Sequence, residues 1–410
     1  MNKYDEYKES GIEWIGDIPS HWQIMPFKRR MTFNNGADYK DWAVDEGYPV
    51  MGSGGQFAFA SKYMFNGEVV LLGRKGTIDR PLYYNGPFWA VDTMLYAVPD
   101  RRAYCKYMYY QTLTFPFNYF ATATALPSMT QTDLGNNPVC VPPYYEQKAI
   151  ADYLDTECRK IDDLITKEEK RAQLIEETKL SIITKVITKG LDTDKELVNS
   201  GLDWIGKMPS DWALWKTSHL FTGIGSGTTP KSSDSSYYDD EGHYWLQTGD
   251  LNDGHITDTS KKVTDKAVSE KNLRFYPVNS LVIAMYGATI GKLGILDIES
   301  STNQACCVLP PSKKVLPMFA FYHFMAAKQD LINQSAGGGQ PNISQDIIRR
   351  HKIALPPTID EQQAIVDYIS EKAIKYDAAL RRTRRQIYTL REYKLSLITE
   401  VVTGKRKVCR

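Results

Sequence analysis

One unit is written twice along this chain, and any fold it adopts has to accommodate both copies. Residues 11–22 read GIEWIGDIPSHW, and residues 201–212 read GLDWIGKMPSDW, 190 positions on. PPYYEQKAIADYLD from Pro142 returns as PPTIDEQQAIVDYIS from Pro356, and KLSIITKVITKG from Lys179 returns as KLSLITEVVTGK from Lys394. Two similar domains with two similar working surfaces are therefore expected, and 410 residues are enough for two separate cores.

The formal charge is only +1, so the chain as a whole is not a polycation. That average hides an asymmetry, because residues 372–410 hold twelve Lys or Arg against three Asp or Glu, with Arg381, Arg382, Arg384 and Arg385 bunched together. Such a run suits phosphates, an acidic partner protein or the solvated face of a helix. The six cysteines lack the spacing of a disulfide framework or a Cys-x-x-Cys metal site, which fits reduced thiols in the cytoplasm. The opening MNKYDEYKES has no apolar signal-like run, and no stretch of 18 apolar residues occurs, so no membrane association is expected.

Between the repeated edges, short apolar runs are punctuated by glycine. Residues 68–73 and 90–98 read as strands, with Asn66-Gly67 and Asn85-Gly86 as turn signals; their counterparts are residues 280–287, 292–297 and 303–310. Residues 102–112 and 318–334 read as helices. Strands do not alternate regularly with long helices, which argues against a doubly wound parallel sheet and for a twisted, mainly β domain in each copy.

Pro142-Pro143 and Pro356-Pro357 then mark boundaries, and the periodicity becomes helical. A 3-4 spaced set runs Leu154, Cys158, Ile161, Ile165, Glu168, Ala172, Ile175, Lys179, Ile182 and Val186. Shifted by 215, it becomes Ile369, Ala373, Tyr376, Leu380, Thr383, Ile387, Leu390, Lys394, Leu397 and Val401. One apolar seam meeting another is the expected arrangement, over roughly 33 residues or about 50 Å of each helix. The repeated Lys179 and Lys394 are expected to fix the register of that pairing. Antiparallel pairing would relate the two domains by a pseudo-twofold axis.

The duplicated WIG-x-x-P-x-x-W, the Pro-Pro boundary followed by Glu-Gln-x-x-I (Glu146, Gln147, Ile150; Glu361, Gln362, Ile365) and the KLSLIT helix end together resemble the specificity subunit of type I restriction-modification enzymes. The resemblance spans essentially the whole chain. It implies an α+β fold: two mainly β target recognition domains joined by two long antiparallel, coiled-coil-like helices in an internal pseudo-twofold repeat. It divides the chain into residues 1–22, a repeated N-terminal segment; 23–142, the first recognition domain; 143–190, a helical spacer; 191–210, a linker with the second WIG segment; 211–356, the second recognition domain; and 357–410, the C-terminal helical spacer. The implied partners are double-stranded DNA with a bipartite, asymmetric target, two modification subunits that methylate adenine at N6, and two restriction subunits. S-adenosylmethionine, ATP and Mg2+ would sit on those partners and none on this chain, which would itself catalyse nothing. Trp14 and Trp204 would anchor the chain against the helices or face a modification subunit, and Ile161, Ile165, Ile175, Leu380, Ile387 and Leu390 would form the spacer interface.

Catalytic motifs do not compete well with that picture. Residues 221–227, FTGIGSG, imitate a methyltransferase cofactor loop, but a polar segment follows instead of a helix. VPPYYEQ from Val141 lacks the Asn or Asp that would hold a target amine, and its repeat also loses the aromatic ring. No phosphate-binding loop or nuclease arrangement is found, and the six histidines lack metal-ligand spacing. A protein-binding adaptor with two β domains is the remaining alternative.

Two segments stand out as DNA contacts. Arg74, Lys75 and Thr77, with Arg80 beyond, follow an apolar strand at a glycine turn; the matching turn, residues 286–292, keeps one cation, Lys292. Arg and Lys either span guanine O6/N7 or hold phosphate. The second segment is PSMTQ at residues 127–131, matched by PNISQ at 341–345 after a glycine run. Here Gln131, Gln340, Asn342 and Gln345 suit paired bonds to adenine, or serve as turn and cap formers.

Overall fold

A computed structural model describes residues 3–117, 128–335 and 342–408. The chain forms two compact units, one from Met1–Lys170 with Thr383–Arg410, the other from Arg171–Arg382. Among the described residues no helix is long and apolar enough to cross a membrane. Cys105, Cys140, Cys158, Cys306 and Cys307 are free and buried.

The first unit is built on a seven-stranded sheet in the order Met31–Asn35, Met94–Pro99, Phe65–Gly73, Leu82–Ala90, Tyr48–Gly52, Gly55–Ala60, Ala43–Val44. All pairings are antiparallel except Tyr48–Gly52 against Leu82–Ala90. Alternation along the central strand explains its continuous apolar run. Val69 and Leu71 join one core with Phe88 and Tyr96, whereas Val70 and Leu72 face the other way into a core with Tyr107 and Leu154. Asn66-Gly67 and Asn85-Gly86 make no turns. Gly67 and Gly86 are paired partners inside the ladder, with φ of +148° and +134°, values that glycine tolerates. Residues 90–98 are likewise not one strand, because residues 91–93 leave the sheet to bond elsewhere.

The second unit carries a five-stranded sheet (Gly225–Ser226, Cys306–Leu309, Leu281–Ala284, Leu293–Leu296, Gly254–Ile256) and a four-stranded one (Lys262–Val263, Tyr238–Leu246, Ser300–Thr302, Phe275–Tyr276). It repeats the two-faced central strand: Val282 and Ala284 enter one core, and Leu281 and Ile283 the other. The helix expected at 318–334 is two, Pro317–Ala326 and Lys328–Asn333.

The long helices, Tyr144–Lys189 and Ile359–Val402, run 46 and 44 residues, longer than the seam alone suggested. Their pairing is antiparallel inside each unit. In the first, Lys394 reaches Asp162 at 2.7 Å and Arg391 reaches Glu169 at 2.7 Å; in the second, Lys179 reaches Asp377 at 2.6 Å. The repeated lysines therefore stand at seam positions without burying an unpaired charge. Ile161, Ile165 and Ile387 are buried, while Ile175, Leu380 and Leu390 are half-buried.

Each helix ends at a left-handed glycine, Gly190 (φ +71°) and Gly404 (φ +74°). The two sites differ in room. A Cβ on Gly404 would collide with the Pro19 ring, whereas one on Gly190 would come no nearer than 3.2 Å, to Trp212. Gly404→Ala is expected to cost about 1–3 kcal/mol, more than Gly190→Ala, in a urea titration. Equal losses at the two positions would show that Pro19 simply moves aside.

Candidate nucleic-acid interface

The repeated sequence edges turn out to be clamps. Glu146, buried, accepts from the Trp22 indole at 3.1 Å and the Tyr4 hydroxyl at 3.2 Å, and His21 Nε2 lies 2.7 Å from it. Glu361 accepts from the Trp212 indole at 3.1 Å and from Lys195 at 3.0 Å. The neighbouring glutamines repeat a second clamp. Gln147 accepts from the Tyr104 amide at 2.8 Å and Gln362 from the Leu316 amide at 3.0 Å, the residues that precede helices Cys105–Thr112 and Pro317–Ala326. The Glu-Gln pair thus ties each β domain and each WIG segment to the start of a long helix.

With the frame held, the loops at one end of each sheet converge through a ladder of backbone hydrogen bonds that the two units share. In the first unit the Val91 amide donates to Met51 (3.1 Å), the Arg74 amide to Thr93 (2.8 Å) and the Met129 amide to Arg74 (3.1 Å). In the second, Asn303 donates to Leu246 (3.0 Å), Met285 to Ala305 (2.8 Å) and Ile343 to Met285 (2.8 Å). An isolated bridge joins Lys75 to Ser128 and another joins Tyr286 to Asn342. Met129 and Ile343 are the apolar anchors, 2% and 0% exposed. Gly76 and Gly287 turn the chain at φ +81° and +78°.

Both segments singled out in the sequence are therefore brought side by side in each unit. Arg74, Lys75 and Arg80 are exposed, Thr77 is half-buried, and among the described residues none of the three cations forms an ion pair. Thr130 and Ser344 are N-caps, accepting from the amides of Asp133 (3.1 Å) and Ile347 (3.2 Å). Gln131, exposed, and Gln345, half-buried, open the short helices behind those caps. Asn342 is exposed, Lys292 is half-buried where strand Leu293–Leu296 begins, and Gln340 lies outside the described residues.

Other residues reach the same surfaces without having been marked in the sequence. Ser53 abuts Gly76, with its Oγ 3.7 Å from where a Cβ would stand, and Asp92 is exposed in the 91–93 loop. In the second unit Gln304 bonds Thr229, and the Lys328 side chain lies over Gly291, 2.9 Å from its Cβ position. Burial raises the Tyr286 hydroxyl above its ordinary pKa, so it stays a neutral donor. The first cluster is cationic at its rim, whereas the second presents mainly neutral hydrogen-bonding groups.

The glycines of FTGIGSG have a packing role. Gly225–Ser226 pairs as a strand with Cys307 and Val308, and a Cβ on Gly227 would run into the Thr302 carbonyl. Gly36 repeats this against the Val91 carbonyl. Among the described residues no group of three or more His, Cys, Asp or Glu is placed to hold a metal ion. Trp14 is 47% exposed, whereas Trp204 stacks on His351 (5.9 Å) and meets His323 edge-on (5.1 Å).

Residues 23–177 and 209–385 match a family model described as the type I restriction modification DNA specificity domain. The putative type I restriction enzyme MjaX specificity subunit of Methanocaldococcus jannaschii is 28% identical over 301 residues, 71% of this chain and 65% of that protein. The MjaVIII specificity subunit of the same organism is 26% identical over 299 residues, 70% of this chain and 66% of that protein. The chain thus spans slightly under two thirds of these relatives. A solved structure, described as the structural basis underlying complex assembly and conformational transition of the type I R-M system, shares the fold. It matches with a TM-score of 0.66 over 94% of this chain and 98% of its own at 14% identity.

Proposed function

Because this chain belongs to the type I restriction modification DNA specificity family, we propose that it is a DNA-reading subunit whose two loop clusters each recognise one half of a bipartite target. The observation that carries this reading is the shared backbone ladder, which sets an exposed turn beside an exposed polar loop in both units. Backbone bonds hold the loops rigid while side chains vary, so one frame presents two chemistries. Arg74 and Lys75 suit guanine or phosphate; Asn342, Gln345 and Gln304 suit adenine. The target is accordingly asymmetric. The 23–142 and 211–356 segments are the recognition domains, and the paired helices are the spacer.

Catalysis belongs to partners in this proposal. Two modification subunits hold S-adenosylmethionine and methylate adenine flipped from the duplex; two restriction subunits use ATP and Mg2+. They supply much of the phosphate contact that a near-neutral chain lacks. The assembly works in the cytoplasm, and Trp14 is the side chain we assign to a modification subunit. Purified chain with S-adenosylmethionine alone should leave DNA unmethylated.

Arg74→Ala tests the assignment in the assembled complex, once methylation-sensitive sequencing has defined the target. A base contact predicts a loss of about 1–3 kcal/mol on target duplex, relaxed sequence preference in one half only, and unchanged binding to unrelated DNA. A uniform loss on all DNA would move Arg74 to the phosphates. A complex with no sequence preference at all would overturn the reading of the chain.

A further inference from the structure

The hairpin of strands Tyr48–Gly52 and Gly55–Ala60 reaches the first loop cluster through Ser53, which packs against Gly76. Its turn is built almost without side chains. Gly54 and Gly55 have open space where a Cβ would be, and Gly55 sits at φ +104°. Two residues on, Phe57 leaves 58% of its surface exposed and is the one phenylalanine so exposed among the described residues. The ring is not free to wander. It lies over Gly52, 3.1 Å from the Cβ position there, and meets Tyr39 edge-to-face at 5.6 Å and 89°. A methyl at position 52 would press against it.

A packed apolar ring on the hairpin whose Ser53 abuts Gly76, in the turn that carries the exposed Arg74, Lys75 and Arg80, suits a base edge better than a protein surface. Lys75 and Arg80 complement phosphates along a groove, and a turn of glycines is slim enough to enter one. Within the major groove the apolar feature open to such a ring is the 5-methyl group of thymine. Among the described residues the second unit has no matching hairpin after the equivalent strand. There the strand Tyr238–Leu246 is followed by the tight turn Thr248–Asp250, closed by an Asp250 carboxylate that accepts from the Gln247 amide at 2.8 Å.

We propose that Phe57 is a specificity-determining residue of the first unit, its ring in contact with the 5-methyl group of one thymine in the half-site which that unit reads. This rests on the DNA reading above and adds the base and the atom. The test uses the complex of full chain and modification subunits on duplexes carrying its target, with each thymine replaced singly by deoxyuridine, which lacks only that methyl. Wild type should lose about fourfold in affinity at one thymine of one half-site, the factor expected for one buried methyl-sized group. Phe57→Ala should bind the thymine and uracil duplexes equally at that position, at the wild-type uracil level, and Phe57→Leu should keep part of the discrimination. Substitutions in the other half-site should be unaffected by either variant. Overturning results are a wild-type complex indifferent to uracil at every thymine, or a Phe57→Ala complex that keeps the wild-type ratio. Either would leave target preference and the Arg74→Ala effect in place, whereas failure of the DNA reading would abolish both.

Discussion

Glu146→Ala is expected to destabilise the first unit by about 2–3 kcal/mol, the cost of leaving a buried indole N–H without its carboxylate acceptor. The side chain is only 4% exposed, and the fully buried Trp22 indole, the Tyr4 hydroxyl, His21 and the Tyr145 hydroxyl (3.3 Å) all bond it. Alanine would leave the fully buried indole N–H without its acceptor and loosen the N-terminal segment from the helix start. Glu361→Ala should cost less, about 1–2 kcal/mol, because that carboxylate is 24% exposed and Lys195 keeps Asp211 as a second partner at 2.7 Å. Urea unfolding of the two variants measures the difference. Equal, small losses would mean that apolar packing around Trp22, rather than the carboxylate, fastens the segment.

Acid should weaken the second unit before the first. His323 and His351 are 0% and 5% exposed, with their Nε2 atoms 3.0 Å apart, so at most one of the facing nitrogens carries a proton. Burial lowers His351 to about 4; burial first, and then His351, holds His323 well below its ordinary range. A folded pKa below the unfolded value of about 6.5 means that the unfolded chain takes up protons the folded chain refuses. The stabilisation is whole above pH 6.5 and drains away as the pH falls toward 4. For His351 alone it amounts to about 3 kcal/mol over that window. The first unit has no counterpart, since its one histidine, His21, is 47% exposed. Hydrogen exchange of the full chain at pH 7 and pH 4.5 should show protection lost first among residues 171–382, and His351→Gln should blunt the change. Loss beginning in the first unit would refute this.

Periodicity was the most legible property of the sequence. The repeat and the 3-4 seam can be read directly, because burying Ile161, Ile165 and Ile387 requires apolar residues at those spacings. The central strands were legible for a related reason, since two buried faces leave a continuous apolar run. Asn66-Gly67 and Asn85-Gly86 misled because the same dipeptide that makes a turn also serves where paired strands coil sharply, and only the partner strand distinguishes the two. The break at residues 91–93 was hidden by an unbroken apolar pattern. At the candidate interface each loop could be found separately, but their union could not. The ladder through Met51, Arg74, Val91 and Met129 is made of backbone groups, which every residue type supplies, so it leaves no trace in side-chain spacing. Gln304 was hidden for the same reason, since it lies between the rungs at Asn303 and Ala305.

The first unit draws on two distant stretches, Met1–Lys170 and Thr383–Arg410, whereas the second is one continuous run. Tyr7 and Tyr107 bond the carbonyls of Gly404 and Val402, so part of the earlier unit waits for residues near position 400 to leave the ribosome. Translation therefore favours finishing the later unit first, with the nascent amino-terminal portion held open until the second long helix emerges to close it.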